Sequence, residues 1–128
     1  MRVIAGELGG RRLQTPRGEA TRPTAGRVRE ALFSMLGDIE GTVVLDLFAG
    51  SGALGIEALS RGAARATFVE RAPKALAALR SNIETLDLAQ RSEIVARDAI
   101  SALRGAAIYD LVFLDPPYAM AAELAPVL

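Results

Sequence analysis

Four apolar segments of this 128-residue chain each end in an acid: Val43 to Asp46, Thr67 to Glu70, Ile94 to Asp98 and Leu111 to Asp115. Between the first two lies a glycine-rich turn, in which Gly50, Gly52 and Gly55 spell G-x-G-x-x-G. One acid after an apolar run is commonplace, because carboxylates favour the N-terminus of a following helix. Four of them beside a glycine turn predict more. If the segments are parallel strands, all four acids line the carboxyl edge of one sheet, where open α/β folds bind ligands.

Each acid then has a chemistry. Glu70 lies 20 residues after Gly50, the position from which a carboxylate accepts hydrogen bonds from ribose hydroxyls. Asp98 can accept from an adenine amino group, with the Ala99 N–H facing the ring. Asp46 discriminates between ligands. A dinucleotide loop offers its N–H groups to a pyrophosphate, and a carboxylate beside it repels phosphate. It favours a cation instead, such as the ammonium and sulfonium of S-adenosylmethionine, and glycines let the backbone pass close to such a ligand.

The last acid opens Asp115-Pro116-Pro117-Tyr118. Two prolines can simply end a strand and enter a turn. At a ligand-binding edge they offer more. An exocyclic amine on a base is a weak nucleophile because its lone pair is delocalised into the ring. The Asp115 carboxylate and the Pro116 carbonyl can each accept one N–H of that amine, which favours a more tetrahedral nitrogen with a localised lone pair. Pro117 keeps the turn rigid, and Tyr118 can stack on an extruded base.

These groups need elements to hold them. Arg2–Ala5 and Arg11–Gln14 read as a hairpin joined through Gly6, Gly9 and Gly10. Thr15-Pro16-Arg17-Gly18 and Arg22-Pro23 punctuate a linker, and a helix from about Thr24 to Gly37 carries Val28, Leu32, Phe33 and Leu36. Strands over Val43–Phe48, Ala66–Glu70, Glu93–Arg97 and Tyr109–Leu114 alternate with helices over Ala53–Ser60 and Ala72–Leu86. This alternation predicts a Rossmann-like α/β fold, a parallel sheet with helices on both faces. The chain divides into a basic hairpin arm over residues 1–23 and a ligand-binding domain over residues 24–128.

Composition narrows the function classes. With 51% hydrophobic and 23% charged residues the chain reads as a soluble domain with a single core. It has no cysteine and no histidine, which excludes disulfides, thiolate metal sites and histidine-based triads; no metal is expected. No apolar run reaches the roughly 20 residues of a membrane span, and no signal-peptide core follows Met1, so a cytoplasmic protein with no membrane partner is expected. The zero net charge conceals an asymmetry. Residues 1–29 carry seven arginines against Glu7 and Glu19, a net of +5, and the remainder carries 8 basic and 13 acidic groups, a net of −5. Arginine binds phosphate bidentately, so the arm is expected to meet RNA.

Asp46-Leu47-Phe48-Ala49-Gly50-Ser51-Gly52 resembles the cofactor loop of class I S-adenosylmethionine-dependent methyltransferases, and Asp115-Pro116-Pro117-Tyr118 resembles their amino-methylating (D/N)PPY signature. Arg2-Val3-Ile4-Ala5-Gly6, Gly10-Arg11-Arg12-Leu13 and Arg22-Pro23-Thr24 with Arg27-Val28-Arg29-Glu30-Ala31-Leu32-Phe33 resemble the N-terminal extension of the RsmD family. That family methylates N2 of one guanine in 16S ribosomal RNA. The resemblance implies S-adenosylmethionine as cofactor, held by Asp46, Phe48, Ala49, Gly50, Ser51, Gly52, Glu70, Asp98 and Ala99. It implies that Asp115, Pro116, Pro117 and Tyr118 engage the guanine amine. It further implies that Arg11, Arg12, Arg22 and Arg27 contact ribosomal RNA within a small-subunit particle. The family has further strands after the fourth, whereas this chain ends at Leu128, so a sheet order of 3-2-1-4 leaves Tyr109–Leu114 as an open edge.

Three rival readings remain. An adenine-N6 methyltransferase on DNA or RNA shares the amine-binding signature. A non-catalytic cofactor- or RNA-binding module shares the fold. An NAD-linked oxidoreductase shares the glycine turn and Glu70, but is hindered by Asp46 and has no use for Asp115-Pro116-Pro117-Tyr118.

Overall fold

The computed structural model describes residues 1–16, 25–104 and 108–115. The sequence-predicted roles of Arg22, Pro116, Pro117 and Tyr118 therefore lie outside the described residues, as does the arm boundary at residue 23.

Apolar runs bounded by turn residues become four parallel strands: β1 (Val43–Asp46), β2 (Arg65–Val69), β3 (Ser92–Val95) and β4 (Leu111–Phe113). Their order is β3-β2-β1-β4, as the resemblance implies. Register fixes the carboxyl edge. Asp46 of β1 lies beside Phe68 of β2 and Phe113 of β4, so the strands end together and their acids face one side. β4 is an edge strand of the described sheet, with Val112 47% exposed.

Helices α1 (Ala25–Leu36), α2 (Ala53–Ser60), α3 (Pro73–Thr85) and α4 (Ala99–Arg104) complete the fold. Pro73 sits in the first turn of α3, where its missing N–H costs nothing. The short helix α4 is not foreseen by the sequence pattern. Six residues carry too little periodicity to distinguish a helix from a loop.

Strand alternation sends side chains to two faces. On one face Val44 and Phe68 join Phe33, Ile56, Leu59 and Leu79 in the main core. On the other, Leu45 and Val69 pack with Leu47 and Ala99 under α4. The hairpin shares the main core through Val3 and Leu13, and it pairs at Arg2 and Arg12.

Candidate functional site

A cleft of about 800 Å³ opens at the carboxyl ends of the strands. Its floor is the loop from Leu47 to Ser51, and one side carries Glu70, Asp98 and Ala99. Asp115 borders it after β4, and Val28, Arg29 and Leu32 of α1 form a further wall. A concave, mostly apolar site with a few convergent polar groups is what a small ligand needs.

The glycine turn resolves into two kinds of glycine. Gly50 sits at φ +57 with open space where a Cβ would stand, so its backbone lies bare beside the cleft. Gly52 and Gly55 serve the interior. A Cβ on Gly52, at φ +92, would meet Leu79 Cδ1 at 2.6 Å, and one on Gly55 would meet the Phe68 ring at 2.4 Å. Gly52 is buried as the first cap of α2 and does not line the cleft, whereas Phe48, Ala49 and Ser51 do.

Glu70 governs the loop. Its Oε1 accepts the Gly50 N–H at 2.8 Å, and its Oε2 accepts the Arg71 and Ala72 N–H groups at the start of α3 at 3.0 and 2.9 Å. One carboxylate thus fixes the turn after β1 to the helix after β2. Oε1 retains acceptor capacity toward the cleft.

Asp46 is 2% exposed beneath the loop, where one oxygen accepts the Gly55 N–H at 3.1 Å. Burial pushes its carboxyl up to about 7; the Gly55 bond opposes this, while the charges of Asp115 and Glu70 add to it. The charges of Glu70 and Asp115, which follow β2 and β4, thus reach Asp46 at the end of β1. Asp46 lies beneath this anionic corner and does not line the cleft. Glu70 and Asp115 line it and favour a cation there, while Arg29, Arg71 and Arg97 also contribute to its wall.

Asp98 behaves as a helix cap. Both its oxygens engage Ser101, accepting the N–H and the hydroxyl at 2.9 Å each, and these bonds hold its carboxyl below the usual range. Of the four strand-end acids it is the one for which capping alone accounts for the geometry, although it also borders the cleft.

The arginines of the N-terminal third divide. Arg11, Arg12 and Arg27 are exposed. Arg29, part of the same basic stretch, is instead 5% exposed. Its Nη2 donates to the Arg2 carbonyl at 2.7 Å, and its Nη1 lies 3.8 Å from Glu57. It belongs to the interior and adds nothing to a solvent-facing RNA surface.

Sequence reading misses two buried polar residues. Glu57, fully buried in α2, accepts the Ile4 and Ala5 N–H groups at 2.8 and 3.1 Å and the Arg61 Nε–H at 2.9 Å. Asn82 of α3, 2% exposed, binds Gln14 and Ser51. The available signal is a polar residue inside an apolar stripe: Glu57 in ALGIEALS, and Asn82 between Leu79 and Ile83.

A parallel sheet of this order, with an acid on either side of a glycine turn, is the Rossmann-like α/β fold of class I methyltransferases. The solved structure of yhhF from Escherichia coli superposes on 92% of this chain and 65% of that one, with TM-score 0.84 and 43% identity. The chain belongs to the RsmD family: residues 1–128 match the family described as Conserved hypothetical protein 95. It is 43% identical over 120 residues to Ribosomal RNA small subunit methyltransferase D of Escherichia coli strain K12, covering 92% of this chain and 60% of that protein. It is 47% identical over 123 residues to YlbH of Bacillus subtilis strain 168, covering 92% of this chain and 67% of that protein. The chain thus spans between three-fifths and about two-thirds of the length of these two relatives. Among the described residues, no helix is long and apolar enough to cross a membrane.

Proposed function

We propose that this chain binds S-adenosylmethionine and serves methyl transfer to the exocyclic N2 amine of a guanine in small-subunit ribosomal RNA. The observation that carries the reading is the placement of Glu70 and Asp115 on the cleft, with Asp46 buried beneath the open backbone of Gly50. Three neighbouring carboxylates suit a cationic nucleoside and disfavour a dinucleotide. The name of the Escherichia coli relative supports ribosomal RNA as the substrate.

The residues present fit the cofactor. Glu70 would accept from the ribose through the capacity left on Oε1, and Ala99 would face the adenine beside Asp98. The loop from Phe48 to Ser51 would carry the rest of the nucleoside, with the anionic corner beneath it. When bound, the sulfonium nucleoside supplies an electrophilic methyl group. The work of the chain is then positional. Asp115 and the Pro116 carbonyl accept the two N–H groups of the guanine amine, and Tyr118 holds the extruded base by stacking. No strong base is needed, because the alkylated amine is acidic enough to give its proton to Asp115 or to water. The exposed Arg11, Arg12 and Arg27, with Arg22, would meet phosphates of the ribosomal particle.

Calorimetric titration with S-adenosylhomocysteine and, separately, NAD tests the cofactor. Binding of the homocysteine nucleoside alone is expected, and binding of NAD alone would refute the reading. Incubation with small ribosomal subunits and a radiolabelled methyl donor, followed by nucleoside digestion, tests the substrate. N2-methylguanosine is expected; N6-methyladenosine would transfer the assignment to adenine. Asp115→Ala should abolish transfer while leaving nucleoside affinity within about threefold of wild type.

A further inference from the structure

Asn82 lies on the face of α3 that carries Leu79, Ile83 and Leu86, in the middle of the main core. An amide there must satisfy every hydrogen-bonding atom or destabilise its surroundings. It does so through two segments far apart in sequence. Its Oδ1 accepts the Gln14 N–H at 2.8 Å, and its Nδ2 donates to the Gln14 carbonyl at 3.0 Å, so the side chain pairs with the arm as a peptide group would. The second hydrogen of Nδ2 goes to the Ser51 carbonyl at 2.9 Å. One N–H and two carbonyls around the amide also fix its orientation, since a flipped amide would set N–H against N–H.

Few side chains could do this. Aspartate has no donor for the two carbonyls, serine has too few groups, and glutamine is longer by a methylene. The two partners belong to different parts of the proposed function. Gln14 follows the arm segment that carries Arg11 and Arg12, which pairs with Arg2 through a single bridge at Arg12, and the next residues, Thr15 and Pro16, line the cleft. Ser51 follows Gly50, whose N–H is held by Glu70. A continuous run of hydrogen bonds and covalent links therefore leads from the arm through Asn82 to the turn that faces the ligand.

We propose that Asn82 is a positioning residue that couples the basic arm to the glycine turn, so that the turn takes its binding geometry only while the arm is docked at Gln14. The proposal rests on the nucleoside-binding reading of the cleft. Coupling of this kind is reciprocal: a ligand that holds the Gly50–Ser51 turn also holds Gln14 on Asn82.

The test reads affinity and local opening rather than activity. Asn82→Asp keeps the acceptor for Gln14 and removes both donors; Asn82→Ala removes all three hydrogen bonds. Each is titrated with S-adenosylhomocysteine at a temperature where circular dichroism shows it folded. Affinity about tenfold weaker than wild type is expected. Unchanged affinity in the folded variants would assign Asn82 to stability alone and overturn the proposal. Should neither variant fold, hydrogen exchange on the wild-type chain decides. Addition of S-adenosylhomocysteine should slow exchange of the Gln14 amide, which lies on the arm, and an unchanged rate overturns the coupling. A wild-type chain that does not bind S-adenosylhomocysteine would instead refute the nucleoside reading, and the coupling with it.

Discussion

The Glu70 carboxylate accepts the Gly50 N–H at 2.8 Å while its other oxygen accepts the Arg71 and Ala72 N–H groups. The acid expected to hold a ribose is thus also the clasp that ties the turn to the residues leading into α3. Its loss has two separable effects. Glu70→Ala should lower stability by about 1–3 kcal/mol, because the part-buried Gly50 N–H loses its acceptor. It should weaken S-adenosylhomocysteine binding more than Glu70→Gln, which keeps one acceptor oxygen. Thermal unfolding and calorimetry on both variants check this; equal affinity in the two would show that the clasp does not matter to binding.

The glycines allow a sharper separation of packing from binding. Gly55→Ala would place a methyl 2.4 Å from the Phe68 ring, so it should destabilise the fold by about 1–3 kcal/mol. Gly50→Ala meets no protein atom within 4 Å but sits at φ +57, so it should cost about 1–2 kcal/mol. Its methyl would project into open space at a residue that lines the cleft. Nucleoside affinity of the folded protein should fall for Gly50→Ala and hold for Gly55→Ala. The reverse ordering in calorimetry would show that the two glycines have exchanged roles.

Much of this is legible in the sequence, for a physical reason. Strands are written as short apolar runs, so β1, β2 and β4 announce themselves. The acids at or just after their ends mark the carboxyl edge, although Asp46 itself is buried and Val112 of β4 is exposed. Helix α2 is legible to the residue, because Gly52 and Gly62 bracket it. What escapes is whatever depends on neighbours distant in sequence. Glu57 stands out as a polar letter in an apolar helix, but its partners Ile4 and Ala5 more than 50 residues away do not, nor does the Phe68 ring that Gly55 serves. Charge counting fails at Arg29 for the same reason. A guanidinium buried against Glu57 and one in solvent are the same letter.

That difference is testable within the N-terminal third. Arg11 and Arg12 are exposed, so replacing both with serine should leave stability nearly unchanged and weaken RNA binding. The slope of log affinity against log salt should also shrink, by roughly one for each phosphate left without its arginine. Arg29→Ala leaves the Arg2 carbonyl without its part-buried hydrogen bond while Arg61 still pairs with Glu57, so it should destabilise by about 1–3 kcal/mol with no specific effect on that slope. A slope unaffected by the loss of Arg11 and Arg12 would make those two side chains an ordinary solvated face.

Asp46 carries the prediction that joins fold stability to ligand charge. Its carboxyl rises on folding from 3.8 to about 7, so the native state holds the proton more tightly than the unfolded chain does. Its contribution therefore favours the fold at acid pH and is lost as pH climbs from 3.8 toward about 7, with a total on the order of 4 kcal/mol. Asp46→Asn keeps an acceptor for the Gly55 N–H and cannot ionise. Unfolding free energies measured from about pH 4 to 8 should fall more steeply for wild type than for this variant. A cation in the anionic corner should draw the proton off Asp46. Near pH 7, S-adenosylmethionine should then release more protons on binding than S-adenosylhomocysteine, which lacks the sulfonium. Calorimetry in buffers of different ionisation enthalpy measures that release directly. Equal proton release for the two ligands would mean that the sulfonium sits too far from Asp46 to be felt, and the anionic corner would lose its claim to select the cofactor.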